Sequence, residues 1–174
     1  MKTIIAILLA IIAIAGGVYF WQRHQFPAAA TNFEECAAQG NPVMESYPRQ
    51  CHDQAGNAFR EDIGNGLEKT NLVRATAPRP NQKISSPVTV KGEARGSWFF
   101  EASFPVKVLD EKGAQLGGGI AHAQGDWMTT DFVPFEAKIE FSKPTGFIGR
   151  LILEKDNPSG LPEHDDSLII PVKF

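Results

Sequence analysis

The C-terminal half of the chain alternates apolar and polar residues with a period of two, and no other feature limits the possible folds as strongly. In PFEAKIEF (134–141), every second residue from Phe135 to Phe141 is apolar, and the residues between them are charged. The segments PVTVKGEA (87–94) and SLIIPVKF (167–174) show the same tendency. Alternation of this kind over about four to eight residues predicts half-buried β-strands.

Other short apolar runs add further predicted strands, at 98–109, 119–123 and 149–155, and Asp110–Gly113 is a predicted turn. About seven strands in roughly 90 residues are typical of an immunoglobulin-like β-sandwich. We therefore expect an all-β domain over residues 83–174, with a small barrel as the alternative. Neither cysteine falls in this range, so apolar packing has to stabilise the domain without a disulfide.

The N-terminus has a different pattern, an uncharged run of 18 residues from Ile4 to Trp21. A helix of this length spans roughly 27 Å, close to the ~30 Å thickness of the hydrocarbon core. Aromatic rings at its far end, from Tyr19 to Trp21, suit the bilayer interface. We expect a single-pass signal anchor over residues 1–25, in the cell membrane with the C-terminal domain extracytoplasmic. The alternative is a secreted protein, cleaved at a small-x-small site ending at Ala15 or Ala30.

The two cysteines lie in a short stretch that we expect to form a separate module over residues 26–63. A disulfide between Cys36 and Cys51 would close a loop of about 16 residues and stabilise the stretch by about 3 kcal/mol. A zinc site usually has its cysteines closer together, and an activated thiolate beside His52 would rest on adjacency alone. We predict a structural disulfide, which would place the module in an oxidising compartment.

This cysteine-containing stretch also resembles a short module found after signal or anchor segments in bacterial envelope proteins. The segments GNPV (40–43) and YPRQC (47–51), with Gly56 and Phe59, carry the likeness. The resemblance implies no activity. Residues 64–82, which follow, are polar and interrupted by Gly and Pro, and we predict a linker there.

Six segments of the predicted sandwich occur in an order that is specific to one family: ISSP (84–87), GEARG (92–96), WFFEA (98–102), GDWM (125–128), PF (134–135) and KDNPSG (155–160). Residues 84–174 thereby resemble the immunoglobulin-like domain of bacterial spore germination. The resemblance implies a β-sandwich in an envelope protein. It brings no catalytic or ligand-binding residues with it, and it does not by itself imply a role in spores.

The segment KDNPSGLPEHDD (155–166) combines four acidic residues with turn-forming ones. Asn157, Pro158 and Gly160 favour a turn between two strands. Its carboxylates lack the alternating spacing of a calcium loop. Ser159 is not in a Gly-x-Ser-x-Gly elbow, so a nucleophile activated by His164 is disfavoured. We interpret this segment as a turn and expect neither a metal ion nor a catalytic residue.

Two aromatic segments flanked by glycine are the best candidates for a binding surface. Consecutive strand residues point to opposite faces, so at least one ring of Trp98, Phe99 and Phe100 faces away from the core. An exposed tryptophan beside a carboxylate could stack on a sugar ring or contact a peptide, and the alternative is packing at the end of the sandwich. The candidate binding residues are Trp98, Phe100, Glu101, Asp126 and Trp127.

The net charge of −3, without a basic block, gives no reason to expect a nucleic-acid partner. We expect a non-enzymatic protein that needs no cofactor and binds a cell-wall glycan (peptidoglycan) or another envelope protein. A structural spacer in an envelope complex is the second hypothesis. The third is a wall hydrolase that uses Glu101 with Asp126 or Asp131.

Overall fold

A computed structural model of the protein describes Ile14, Gly16, Gly17 and residues 29–174. The chain divides into two compact units at Glu61/Asp62. Apart from the three residues named first, the predicted signal anchor (residues 1–25) lies outside the described residues. No helix among the described residues is long and apolar enough to cross a membrane.

The first unit is a small module in which one short helix accompanies a three-stranded antiparallel sheet of order β1-β2-β3. The Asn32 side chain begins the helix by accepting a hydrogen bond from the backbone N–H of Glu35. Cys36 and Cys51 form a disulfide between the helix and the central strand, as predicted. The elements are α1 (Phe33–Ala38), β1 (Val43–Met44), β2 (Gln50–His52) and β3 (Ala58–Arg60).

The second unit consists of seven strands, one helical turn before the first of them, and two short 3-10 turns at Gly96–Trp98 and Pro162–His164. The total agrees with the number of about seven expected from the sequence, but only six strands lie within residues 83–174, and the first, Val73–Ala77, lies before that range. The elements are α2 (Gly66–Lys69), β4 (Val73–Ala77), β5 (Val88–Arg95), β6 (Ser103–Asp110), β7 (Gln115–Ala123), β8 (Phe132–Ile139), β9 (Ile148–Glu154) and β10 (Ser167–Lys173).

The seven strands are hydrogen-bonded in the order β10-β9-β6-β7-β8-β5-β4, and all neighbours are antiparallel. The ladder between β7 and β8 is the shortest, with His122 opposite Glu136 and Ala123 opposite Phe135. The strands therefore form two layers, β4-β5-β8 and β7-β6-β9-β10, which is the arrangement of an immunoglobulin-like sandwich.

The core lies between these layers because each strand places alternate residues there. In β8, Val133, Phe135, Ala137 and Ile139 are buried and the residues between them are exposed, which confirms the predicted alternation. Strand β10 follows the same rule. Aromatic rings pack against each other in this core. The ring centroids of Phe104 and Phe135 lie 4.9 Å apart, in an edge-to-face arrangement.

The predicted linker, residues 64–82, instead contains α2 and β4. Strand β4 pairs with β5 from Val73–Ala94 to Ala77–Lys91, with a bulge, and so extends one layer of the sandwich. Asn65 also contacts the sandwich: its side chain accepts from the backbone N–H of Ile169 at 2.7 Å. The polar sequence did not reveal these contacts because the pairing partners lie far along the chain.

The predicted strand at 98–109 also differs from the structure, in which β6 begins at Ser103. Backbone hydrogen bonds in both directions join Phe100 and Ser103 at 3.0 Å, and the two residues between them have positive φ, 48° at Glu101 and 61° at Ala102. These angles form a tight hairpin turn. The aromatic segment before it is therefore a loop rather than a strand.

Candidate functional site

Three loops come together at one end of the sandwich. They connect β5 to β6 (96–102), β7 to β8 (124–131) and β9 to β10 (155–166). Because all neighbouring strands are antiparallel, the end of one strand and the start of the next lie at the same end of the layers. We call this surface the loop end.

The first two loops contact each other directly. A Cβ at Gly96 would collide with the backbone carbonyl oxygens of Trp127 and Thr129, so only glycine fits there. The guanidinium of Arg95 donates from Nη1 to the carbonyl oxygen of Thr130 at 2.9 Å. The two aromatic segments identified from the sequence are therefore neighbours in space.

The third loop is joined to the first by a hydrogen bond from the backbone N–H of Asp156 to the carbonyl oxygen of Trp98, 3.0 Å long. Within it, the amide of Asn157 donates to Leu161 O at 2.8 Å and to Asp165 Oδ1 at 2.7 Å. Gly160 supplies a positive φ of 65°. These bonds confirm that the segment is a turn between strands.

The Ser159 hydroxyl lies 2.5 Å from Asn157 Oδ1, to which it donates. His164 is engaged through its backbone carbonyl, which accepts from Lys155 Nζ at 3.2 Å. The geometry thus provides no pairing of Ser159 with His164. Among the residues that the structure describes, no group of three or more His, Cys, Asp or Glu is placed to hold a metal ion.

The five candidate binding residues all lie on the first two loops, but they differ in accessibility. Trp98 is only 2% exposed and belongs to the core, where its large ring fills space between the layers. Trp127 is partly buried and packs against the same core. Phe100 is 40% exposed, and Glu101 and Asp126 are exposed. Trp98 therefore presents no ring surface to a ligand.

The structure also shows two exposed apolar side chains that the sequence analysis did not select. Met128 is 77% exposed, and Leu161, in the third loop, is 49% exposed. The Met128 backbone is held by a hydrogen bond from its N–H to Asp126 Oδ1 at 3.1 Å, which gives the loop a defined turn. In the sequence, the signal for this turn was a glycine followed by Asp–x–Met (residues 125–128).

Two arginines hold the second loop against the sheet. The guanidinium carbons of Arg74 and Arg95 lie 4.2 and 4.1 Å from the ring centroid of Phe132, the first residue after the loop. Arg95 also donates to the carbonyl oxygen of Asn71 at 3.1 Å, in addition to its bond to Thr130. Cation–π contacts and charged hydrogen bonds of this kind rigidify the loop base.

A polar cleft of about 490 Å³ lies beside the loop end, between α2 and the two ends of the third loop. Lys69 Nζ pairs with Asp166 Oδ1 at 2.5 Å, and Glu154, which also lines the cleft, pairs with Lys107 at 2.7 Å. The remaining charged side chains along the cleft are Glu68, Lys155 and Asp165.

The loop end is also strongly acidic. The three loops contain seven carboxylates and one lysine, a formal charge of −6, whereas the whole chain carries −3. All other residues together therefore sum to a formal +3. The charge of the molecule is thus divided unevenly, with the negative part on the loops.

Comparison with known families agrees with this architecture. Residues 72–160 match the family described as the immunoglobulin-like domain of bacterial spore germination. The match covers half of the chain and begins at β4, twelve residues before the resemblance found in the sequence. The chain belongs to this family.

Searches of curated proteins and of solved structures found no match to the chain. The family is not known to be enzymatic, and it suggests a domain of the extracellular type. In antibody variable domains, loops at one end of such a sandwich bind the ligand. The loop end is therefore the candidate binding site of this domain.

Proposed function

We propose that the chain is a membrane-anchored extracytoplasmic protein whose immunoglobulin-like domain binds another envelope protein through the loop end, without catalysis. The observation that carries this proposal is the exposure of Phe100, Met128 and Leu161, one on each of the three loops. Exposed aromatic side chains and methionine are enriched in protein interfaces.

The anchoring of these loops supports a binding role. Hydrogen bonds from Arg95 to Thr130 and from Asp156 to Trp98 hold the loop backbones. Side chains on a rigid base lose little conformational entropy when they bind a partner. The loops therefore present their apolar side chains in a preorganised way.

A protein partner fits this surface better than a wall glycan does. Sugar rings stack on exposed aromatic faces. Of the two tryptophans that the sequence offered for this purpose, Trp98 is buried in the core and Trp127 is partly buried against it, which leaves Phe100 as the exposed ring among the candidates. The negative charge of the loops also disfavours anionic wall polymers.

The extracytoplasmic location is supported by two features. The disulfide between Cys36 and Cys51 is buried and joins the only two cysteines of the chain, and disulfides persist in oxidising compartments. The apolar segment from Ile4 to Trp21 is long enough to serve as an anchor.

Photo-crosslinking of the full chain in the bacterial envelope tests the proposal. A photoreactive phenylalanine analogue replaces Met128 in one variant and Phe147 in a matched control. Phe147 is 85% exposed and precedes β9, at the opposite end of the sandwich. We expect a discrete protein adduct from position 128 that is absent or much weaker at position 147.

Equal adducts from both positions, or none from position 128, would overturn the proposal. Co-sedimentation of the same full chain with purified peptidoglycan is run in parallel. Saturable binding to peptidoglycan that Phe100→Ala weakens would replace the protein partner with a wall glycan.

A further inference from the structure

We propose that the partner inserts a cationic side chain, the ammonium group of a lysine or the guanidinium of an arginine, into the polar cleft beside the loop end. This inference rests on the proposed function, because it names the chemistry of the partner that the loop end binds. The cleft supplies the charged contact, and Phe100, Met128 and Leu161 supply apolar contacts elsewhere on the loop end.

The size of the cleft suits a long side chain. A volume of about 490 Å³ greatly exceeds that of a single water molecule, about 30 Å³, and lies in the range typical of ligand sites. The wall is formed by α2 on one side and by both ends of the third loop on the other. A flexible methylene stem can reach into such a cleft while its charged group contacts the wall.

The ion pairs along the cleft leave negative charge available. Asp166 is neutralised by Lys69 and Glu154 by Lys107, while Lys155 donates to a backbone carbonyl. Glu68 and Asp165 form no ion pair within the described part of the chain. Asp165 accepts a hydrogen bond from the neutral amide of Asn157. An incoming cation would therefore find two carboxylates without an ion-pair partner against the single unpaired ammonium of Lys155, an excess of one negative charge.

The field around the cleft favours the same partner. The loops carry a formal charge of −6 on a chain whose remaining residues sum to +3. Local negative potential accelerates the approach of a basic surface and repels an acidic one. Charge and exposed apolar side chains together define the partner as a basic protein segment that also contains aliphatic residues.

The probe for this inference is the blocked peptide acetyl-Leu-Lys-Leu-amide, with acetyl-Leu-norleucine-Leu-amide as the matched control that lacks only the ammonium group. Each is titrated into the isotope-labelled full chain in detergent micelles, and amide chemical shifts are followed. We expect shifts that saturate at millimolar peptide, centred on Glu68, Lys69 and residues 165–167, from the lysine peptide alone.

Two double variants with the same change in charge separate the cleft from the overall field. Glu68→Gln with Asp165→Asn neutralises the cleft, and an amide oxygen at position 165 can still accept from Asn157. Glu111→Gln with Glu140→Gln removes the same charge at the opposite end of the sandwich. We expect about fivefold weaker binding of the lysine peptide in the first variant and less than twofold change in the second.

Equal shifts from the norleucine peptide, no shifts at the cleft, or equal weakening in both variants would overturn the inference. These results would leave the proposed function intact, because that proposal is tested separately by the protein adduct from position 128. An adduct from position 128 that persists unchanged in the Glu68→Gln, Asp165→Asn chain would likewise show that the loop end binds a partner without using the cleft.

Discussion

The two compact units of this chain are stabilised by different means, although both contain antiparallel sheets. The cysteine module has four buried apolar residues, and two of these are the disulfide cysteines. The immunoglobulin-like domain buries twenty residues in its core and contains no cysteine. A stretch of about 30 residues cannot remove enough apolar surface from water, so a covalent bond replaces the missing core.

This difference between a disulfide and an apolar core predicts which changes each unit tolerates. A loss of core volume should damage the domain and spare the module, whereas a loss of the disulfide should do the reverse. The predictions that follow test this contrast, beginning with the largest expected effect.

Phe104→Ala should destabilise the domain by about 3–5 kcal/mol, because it leaves a cavity in a close-packed core. Phe104 is fully buried, with ring centroids 5.2 Å from Phe99 and 4.9 Å from Phe135. Thermal unfolding followed by near-ultraviolet circular dichroism measures the loss. The control Phe147→Ala removes an exposed ring and should change the stability by less than about 0.5 kcal/mol. Similar losses in both variants would contradict the assigned core.

Replacing both cysteines, Cys36→Ser with Cys51→Ser, should cost the module about 3 kcal/mol, because the loop between them is no longer closed in the unfolded state. Hydrogen exchange should then be fast throughout residues 29–61, while the unfolding midpoint of the domain stays the same. The reduced wild-type chain serves as a second way to remove the bond. Retained protection in the module would mean that its apolar contacts suffice.

Arg95→Ala should loosen the second loop by about 1–2 kcal/mol, since it removes two hydrogen bonds to carbonyl oxygens and a stack on Phe132. We expect faster hydrogen exchange at residues 124–131 and a weaker adduct from position 128. Arg150→Ala, an exposed arginine of β9, is the matched control. A loop that stays protected in Arg95→Ala would show that Gly96 and the turn at Asp126 hold it without the arginine.

The smallest effect is a dependence of the module on pH. A backbone hydrogen bond from Thr31 lowers the pKa of Glu35 below its ordinary value of 4.5. The side-chain amide of Asn57 lowers the pKa of Asp53 below 3.8 in the same way. The unfolded state therefore binds more protons in acid, so the stability that these groups add is present above their ordinary pKa values and is lost as pH falls through the lowered ones.

We expect hydrogen exchange in residues 29–61 to accelerate relative to the domain as the solution is acidified below about pH 4. The double variant Glu35→Gln, Asp53→Asn should show a smaller change over the same range. An unchanged pH profile in that variant would assign the acid sensitivity to other groups.

Much of the fold could be predicted from the sequence because it depends on local alternation. Strands β8 and β10 present alternate apolar residues, from Val133 to Ile139 and from Leu168 to Val172, and the structure buries those same faces. The turn at Asp110–Gly113 was equally visible, and Gly113 adopts the positive φ of 84° that such a turn requires. The disulfide followed from having two cysteines in a segment too small for a core.

Strand β4 was missed although its five residues, VRATA, alternate apolar and polar, and the burial of the strand alternates with them. Two of its three apolar residues are alanines, the flanking sequence is polar, and its partners in β5 lie 14 to 21 positions further along the chain. The same limit applies to Trp98, Phe99 and Phe100. Alternation required one ring to face outward, but the turn at Glu101 and Ala102 decided that Phe100 is the exposed ring and that the other two are buried.

The sequence by itself determined that this chain has an apolar N-terminal segment, a disulfide-bonded module and an immunoglobulin-like domain, since each of these follows from the order of residue types along a short stretch. Only the tertiary structure decided that three separate loops meet at one end of the sandwich and that the third places its carboxylates beside α2. Contacts of this kind depend on antiparallel pairing between residues far apart in the chain. The pattern of residue types within a short stretch therefore does not predict which loops will meet.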